Sequence, residues 1–155
     1  MIAYDVPNWR IHEEGGYSNV SEERQQAIIL EQSAQAFDLV DQAIDFDPGN
    51  AKLYLEKAQI YLNRLKDDAN AAKWFFEASE QDNAPYFASR IYAELLRKQG
   101  LNEEAYDFLK NLHTELPNTP YAQKGIILER ILDLEKTLEI PFRERFMPSR
   151  NSLVE

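Results

Sequence analysis

The sequence predicts an all-α protein built from stacked antiparallel helical hairpins. Apolar residues recur at helical spacing in six stretches, and no stretch shows the sustained alternation of a strand. The stretches are joined by connections of about two to six residues, which is typical of antiparallel neighbours. A spacing of small and large residues also returns in alternate helices. These three features together predict a helical repeat.

Capping and helix-breaking residues set the bounds of the predicted helices. Ser21 or Asn19 caps the first, Asp67 and Asp68 precede the third, and Gly100 suits the left-handed end of the fourth. The predicted helices cover about 21–46, 51–65, 69–81, 86–99, 103–116 and 120–140. The first is expected to bury the face carrying Leu30, Ala34, Phe37, Val40 and Ile44.

Three regions follow from this pattern. Residues 1–20 form an irregular N-terminal segment, residues 21–141 form the helical repeat domain, and residues 142–155 lack periodicity and are expected to be a flexible tail.

The internal repeat is a small residue, a large one four positions on, and a third core position three further on. The three copies are Ala36-x3-Val40-x2-Ala43, Ala71-x3-Phe75-x2-Ala78 and Ala105-x3-Leu109-x2-Leu112, and Pro48, Pro85 and Pro117 follow them. The small residue lets two helices approach and the large one fills the space beside it. The proline ends each helix and fixes the turn into the next unit.

This pattern resembles the tetratricopeptide repeat, which has a period of about 34 residues. Starting at Ala51, the chain has Tyr54, Ala58 and Tyr61 at the first aromatic, small and second aromatic positions. The next copy, starting at Tyr86, keeps Ala93 at the small position but has Ser89 and Leu96 at the aromatic ones. The resemblance implies an α-solenoid of about three units plus a capping helix. It specifies fold more than function.

A narrower resemblance concerns the segments around Ile2-Ala3-Tyr4, Asp47-Pro48-Gly49-Asn50 and Asn83-Ala84-Pro85-Tyr86. They are similar to uncharacterised bacterial tetratricopeptide proteins that carry an N-terminal membrane helix, some of them linked to envelope or exopolysaccharide systems. No such helix is present in this sequence. The resemblance leaves two locations open: a soluble cytoplasmic protein, or the soluble domain of a bacterial envelope protein.

Charge and composition argue against several functions. The chain carries 17 Lys and Arg against 27 Asp and Glu, a net charge of −10, whereas nucleic-acid binding needs a cationic surface. It has no cysteine, and neither His12 nor His113 lies in a metal-ligand spacing. No nucleophile or phosphate-loop motif occurs. We therefore expect no catalytic residue, no metal, no cofactor, no small-molecule substrate and no nucleic-acid partner.

In the tetratricopeptide fold, the first helix of each hairpin lines a concave groove. By this resemblance, the groove residues are Lys52, Leu55, Glu56, Gln59 and Asn63 in one repeat and Phe87, Arg90, Ile91, Glu94 and Lys98 in the next. An apolar floor with charges of both signs suits a peptide or helix of a protein partner. The repeats that clamp a chaperone C-terminus use Lys and Asn at set positions, where this chain has Leu55, Gln59, Arg90 and Glu94. Glu94 would repel the C-terminal carboxylate of a chaperone, so we do not expect a chaperone adaptor.

The expected function is therefore that of a protein-interaction module or adaptor, not an enzyme. The alternative is a self-associating structural subunit. A homo-oligomer and a larger membrane-associated complex both stay open as assemblies. The N-terminal third, residues 1–50, holds ten acids and two bases, which either steers a basic partner or keeps the surface solvated.

Overall fold

The computed structural model describes residues 21–115 and 121–147 of the 155-residue chain. Within these ranges there are six α-helices and no strand, so the all-α prediction is confirmed. The helices are α1 (Glu22–Phe46), α2 (Ala51–Gln59), α3 (Asp68–Ser79), α4 (Tyr86–Lys98), α5 (Asn102–Glu115) and α6 (Tyr121–Thr137). A π-helical turn, Ile60–Arg64, extends α2, and a 3-10 turn spans Phe142–Glu144. The predicted irregular segment 1–20 and the predicted junction at 117–120 lie outside the described residues.

The predicted caps form where the sequence placed them. The Ser21 hydroxyl accepts a hydrogen bond from the Arg24 N–H at 3.1 Å and begins α1. The Asp67 carboxylate accepts one from the Asn70 N–H, also at 3.1 Å, and begins α3. Gly100 follows α4 at φ +79°, a conformation that a residue with a Cβ rarely adopts. Local chemistry therefore fixes these ends.

The buried face of α1 differs from the predicted one in its N-terminal half. Leu30 is 52% exposed, and Ala34 is also exposed. The buried residues are Ile28, Gln32, Ala36 and Val40, which form a row at steps of four, and Ser33, which lies beside that row. Counting apolar residues missed this face because two of its members are polar.

The chain forms two compact units whose sequence boundary lies between Tyr92 and Ala93, inside α4. In the first unit, α2 and α3 pack as a hairpin. Ala58, Ala71 and Ala78 are fully buried in it, and Phe75 between them is also fully buried. The small side chains allow close approach of the helices, as the repeat predicted. The third repeat position is less regular, because Ala43 of α1 and Leu112 of α5 are only half-buried.

A buried lysine ties α1 to this hairpin. Lys57 of α2 lies with its ammonium 2.7 Å from Asp41 Oδ1 of α1 and 3.9 Å from the centre of the Trp74 ring of α3. The Phe37 ring lies 5.7 Å away and stacks on Tyr61 at 4.7 Å. A cation between a carboxylate and aromatic faces compensates for its burial electrostatically. Trp74 therefore packs inside the first unit, against the Lys57 ammonium.

The second unit buries an apolar core between α5 and α6. Its central residues are Ala105, Leu109, Ile127, Ile131 and Leu134, all at most 3% exposed. Ala105 and Leu109 occupy the first two positions of the repeat spacing. The first two positions of the third copy are therefore buried as they are in the second copy.

A buried carboxylate fastens the following segment to this hairpin. Glu135 is 1% exposed, and its Oε2 accepts from the Tyr106 hydroxyl at 2.9 Å and from the Phe146 N–H at 2.6 Å. Burial and this hydrogen bond raise the pKa of Tyr106 to about 12. The ring centroids of Phe146 and His113 lie 5.3 Å apart in an edge-to-face arrangement. The expected flexible tail, 142–155, is thus bound in its first part, while residues 148–155 lie outside the described residues.

None of the described helices combines the length and the apolar character needed to cross a membrane.

Candidate functional site

A cleft of about 380 Å³ opens beside the first half of α2. We call it the α2 cleft. Its described lining consists of Lys52, Leu55, Glu56, Gln59, Asn83, Pro85 and Phe87. All seven residues belong to the first compact unit. Two elements form the walls: α2 on one side, and on the other the connection from α3 together with the start of α4.

Local hydrogen bonds fix both walls. The Asn50 side chain caps α2 by accepting from the Lys52 N–H at 3.1 Å. The Asn83 side-chain oxygen accepts from the Ala51 N–H at 3.0 Å and so joins the α3–α4 connection to the first turn of α2. Pro85 fixes its own φ at the start of α4. The cleft is therefore formed by anchored backbone.

Five of the ten predicted groove residues line the α2 cleft. They are Lys52, Leu55, Glu56, Gln59 and Phe87. Leu55, only 7% exposed, forms the floor, while Lys52 is exposed at the rim. The helical spacing of α2 accounts for this grouping, since residues three and four apart share a face.

The other five predicted residues do not line this cleft. Asn63 is exposed in the π-helical turn, Arg90 is exposed on α4, and Ile91 is half-buried. Glu94 and Lys98 belong to the second unit, where Glu94 Oε1 lies 3.0 Å from Arg130 Nε and 3.4 Å from Arg97 Nη1. Arginines of its own unit thus engage the Glu94 carboxylate.

Two lining residues, Asn83 and Pro85, escaped the sequence prediction. The sequence pattern gives Pro85 as the end of a helix, and both residues belong to the Asn83-Ala84-Pro85-Tyr86 segment of the narrower resemblance. The available signal was the position of the Asn-Ala-Pro turn immediately before the second predicted row of groove residues. A turn that leads into a groove helix can also form the end of the groove.

Glu56 is the chemically distinctive residue of the cleft. Its Oε2 is buried and has no hydrogen-bond partner within the part of the chain that the structure describes. Burial raises the pKa of Glu56 above its ordinary value. An unpaired buried carboxylate oxygen is unfavourable, and a hydrogen-bond donor that reached it would satisfy it.

Among the described residues there is no group of three or more His, Asp or Glu side chains placed to hold a metal ion. His12 lies outside the described residues. His113, 1% exposed, packs inside the second unit.

Comparison of this chain with known proteins adds no assignment. It matches no protein-family model, no curated protein and no solved structure.

Proposed function

We propose that this protein is a binding module that holds a peptide segment of a partner protein in the α2 cleft. The observation that carries the proposal is the composition of the cleft. An apolar floor of Leu55, Pro85 and Phe87 lies beside Lys52 and Glu56, which have opposite charges and stand one helical turn apart. Apolar cores with polar rims are the usual anatomy of peptide-binding patches.

The repeat spacing supports a tetratricopeptide-like arrangement for this module. The small and large positions of the α2–α3 hairpin are buried as the spacing requires. In folds of this kind the first helix of each hairpin faces the groove, and α2 is the first helix of its hairpin. We accordingly propose an adaptor role with no catalytic chemistry.

Selection from a random peptide library displayed on phage tests the proposal. Peptides that are retained would be synthesised with a fluorophore and titrated with the full chain by anisotropy. Phe87→Ala removes half-buried apolar floor and should weaken binding at least tenfold, about 1.4 kcal/mol. Lys52→Ala should weaken the binding of those peptides that carry an acidic residue.

Arg90→Ala is the matched control. Arg90 was predicted to lie in the groove but does not line the cleft, so its removal should leave the affinity unchanged. Weakening by Arg90→Ala without weakening by Phe87→Ala would move the site to the outer face of α4. Failure to retain any peptide would refute the proposal.

The alternative function, self-association, has one supporting observation. Leu39 is 51% exposed and Phe46 is 93% exposed, and their separation of seven residues places them on the same face of α1. A concentration-dependent dimer in analytical ultracentrifugation that is abolished by Leu39→Ser with Phe46→Ser would favour it. A protein that stays monomeric at every concentration sedimented would exclude self-association.

A further inference from the structure

Glu56 gives the α2 cleft a preference for one kind of side chain. Glu56 lines the cleft, and its Oε2 is buried and lacks a partner among the described residues. The rest of the α2 cleft offers amide groups and apolar surface, and Lys52 is exposed to solvent at the rim. The wall around Glu56 therefore combines one unpaired negative group with hydrophobic neighbours.

A basic side chain matches this combination. The stem of Lys or Arg is aliphatic and packs on apolar surface, while its charged end donates hydrogen bonds. Leu55 and Phe87 supply the apolar surface, and Glu56 supplies the acceptor. A charge-assisted hydrogen bond to the carboxylate would replace an unsatisfied group by a strong interaction. An aliphatic side chain offers no donor, and a neutral donor such as Ser or Asn lacks both the opposite charge and the long aliphatic stem.

We propose that the α2 cleft recognises a partner segment through a Lys or Arg side chain that lies along Leu55 and Phe87 and donates to the Glu56 carboxylate. The inference rests on the proposed peptide-binding function and specifies its partner class. Charge complementarity selects this occupant. Lys52 lies about 6 Å further along the helix axis, four residues at 1.5 Å each, and its exposed ammonium is screened by solvent.

Positional peptide libraries test this assignment with the full chain. Each library is a mixture of decapeptides in which one position is fixed as Lys, Arg, norleucine or Glu and the others are random. The Lys and Arg pools should be retained at least tenfold more than the norleucine pool, which keeps the aliphatic stem and lacks the charge. Glu56→Gln should abolish that difference. Glu80→Gln removes the same charge from an exposed position outside the cleft and should preserve it.

Charge reversal keeps the test informative if Glu56→Gln also changes stability. Glu56→Lys should shift retention from the Lys and Arg pools to the Glu pool. The unmodified chain could instead retain all pools equally and lose that retention on Phe87→Ala. This result would overturn the basic-residue assignment and leave the peptide-binding function intact. Retention of none would refute both.

Two other occupants would show themselves in the same assay. If a synthetic peptide of residues 1–20 displaces every pool and needs Glu56 to do so, the occupant is the chain's own N-terminal segment. If the protein alone sediments as a dimer that Glu56→Lys dissolves, the occupant is a second copy. Either result would overturn the assignment to a partner.

Discussion

Removal of a single hydroxyl group should test the buried carboxylate of the second unit. Tyr106 is 6% exposed, and its hydroxyl donates to Glu135 Oε2 at 2.9 Å. Tyr106→Phe deletes this donor and leaves the ring in place. A hydrogen bond to a charged group contributes about 1.5–3 kcal/mol, and a buried carboxylate that loses a donor keeps its desolvation penalty. We expect a loss of stability of about 2 kcal/mol.

Tyr54→Phe is the matched control in the first unit. The Tyr54 hydroxyl donates at 2.7 Å to the backbone carbonyl of Pro48, a neutral and exposed acceptor. Its loss should therefore cost only about 0.5–1.5 kcal/mol. Both variants remove a tyrosine hydroxyl, so the difference between their losses of stability measures the effect of the carboxylate.

Urea unfolding followed by circular dichroism, together with hydrogen exchange of peptides from each helix, measures the effect. Exchange should speed up in α5 and α6 for Tyr106→Phe and in α2 and α3 for Tyr54→Phe. Repeating the change in a Glu135→Gln background should reduce its cost, since the two groups interact directly. A cost below about 0.5 kcal/mol, or an equal cost in both backgrounds, would show that Glu135 is not the acceptor.

Three further predictions concern polar groups in buried positions and the contacts that they make. Gln32 is 4% exposed with neither amide atom hydrogen-bonded among the described residues, so Gln32→Leu should stabilise the protein by about 1–2 kcal/mol, whereas Leu at the exposed Gln35 should not. Burial, aided by Lys124, lowers the pKa of His113 below 6.5. The unfolded chain therefore takes up the proton first, and stability should fall as pH drops from 6.5 through the folded pKa, a slope that His113→Phe should remove. Deletion of residues 142–155 removes the Phe146 donor and should speed exchange in α5 and α6, and deletion of 148–155 alone should not.

The sequence predicted features that depend on local chemistry or on apolar spacing. Ser21, Asp67 and Gly100 act through groups within a few residues of themselves, so their roles can be recognised from sequence. Ala58 and Phe75 lie at spacings typical of the buried face of a helix, and both are fully buried. These features give the helix bounds and the α2–α3 packing.

The features that were not predicted involve polar residues in buried positions. Gln32, Lys57 and Glu135 would each be placed in solvent by any count of apolar residues, and each is at most 9% exposed. Distant residues accompany the burial of two of them: Asp41 pairs with Lys57, and Phe146 donates to Glu135. Asn83 likewise becomes part of the cleft through its hydrogen bond to α2. Such pairings are set by tertiary packing, which sequence spacing does not encode.

Buried polar atoms without a hydrogen bond occur in both units of the described chain. Gln32, Glu56, His113 and Glu135 each retain a buried atom without a hydrogen bond among the described residues, but of these only Glu56 is in the described lining of the α2 cleft. The folded-state pKa of Glu56 is raised, so its contribution to stability is fully present below the ordinary value of 4.5 and is lost as pH rises through the folded pKa. At neutral pH the ionised carboxylate is therefore less favourable to folding than its protonated form.

Glu56→Gln should accordingly leave stability at pH 7 unchanged or increased while it reduces binding of Lys- and Arg-containing peptides. Thermal unfolding at pH 7 and pH 4, combined with peptide titration, measures both effects. A purely structural Glu56 would behave in the opposite way, because its replacement would lower the unfolding temperature at pH 7 and leave peptide affinity unchanged. Opposite signs for stability and binding would therefore identify the carboxylate as part of the binding site.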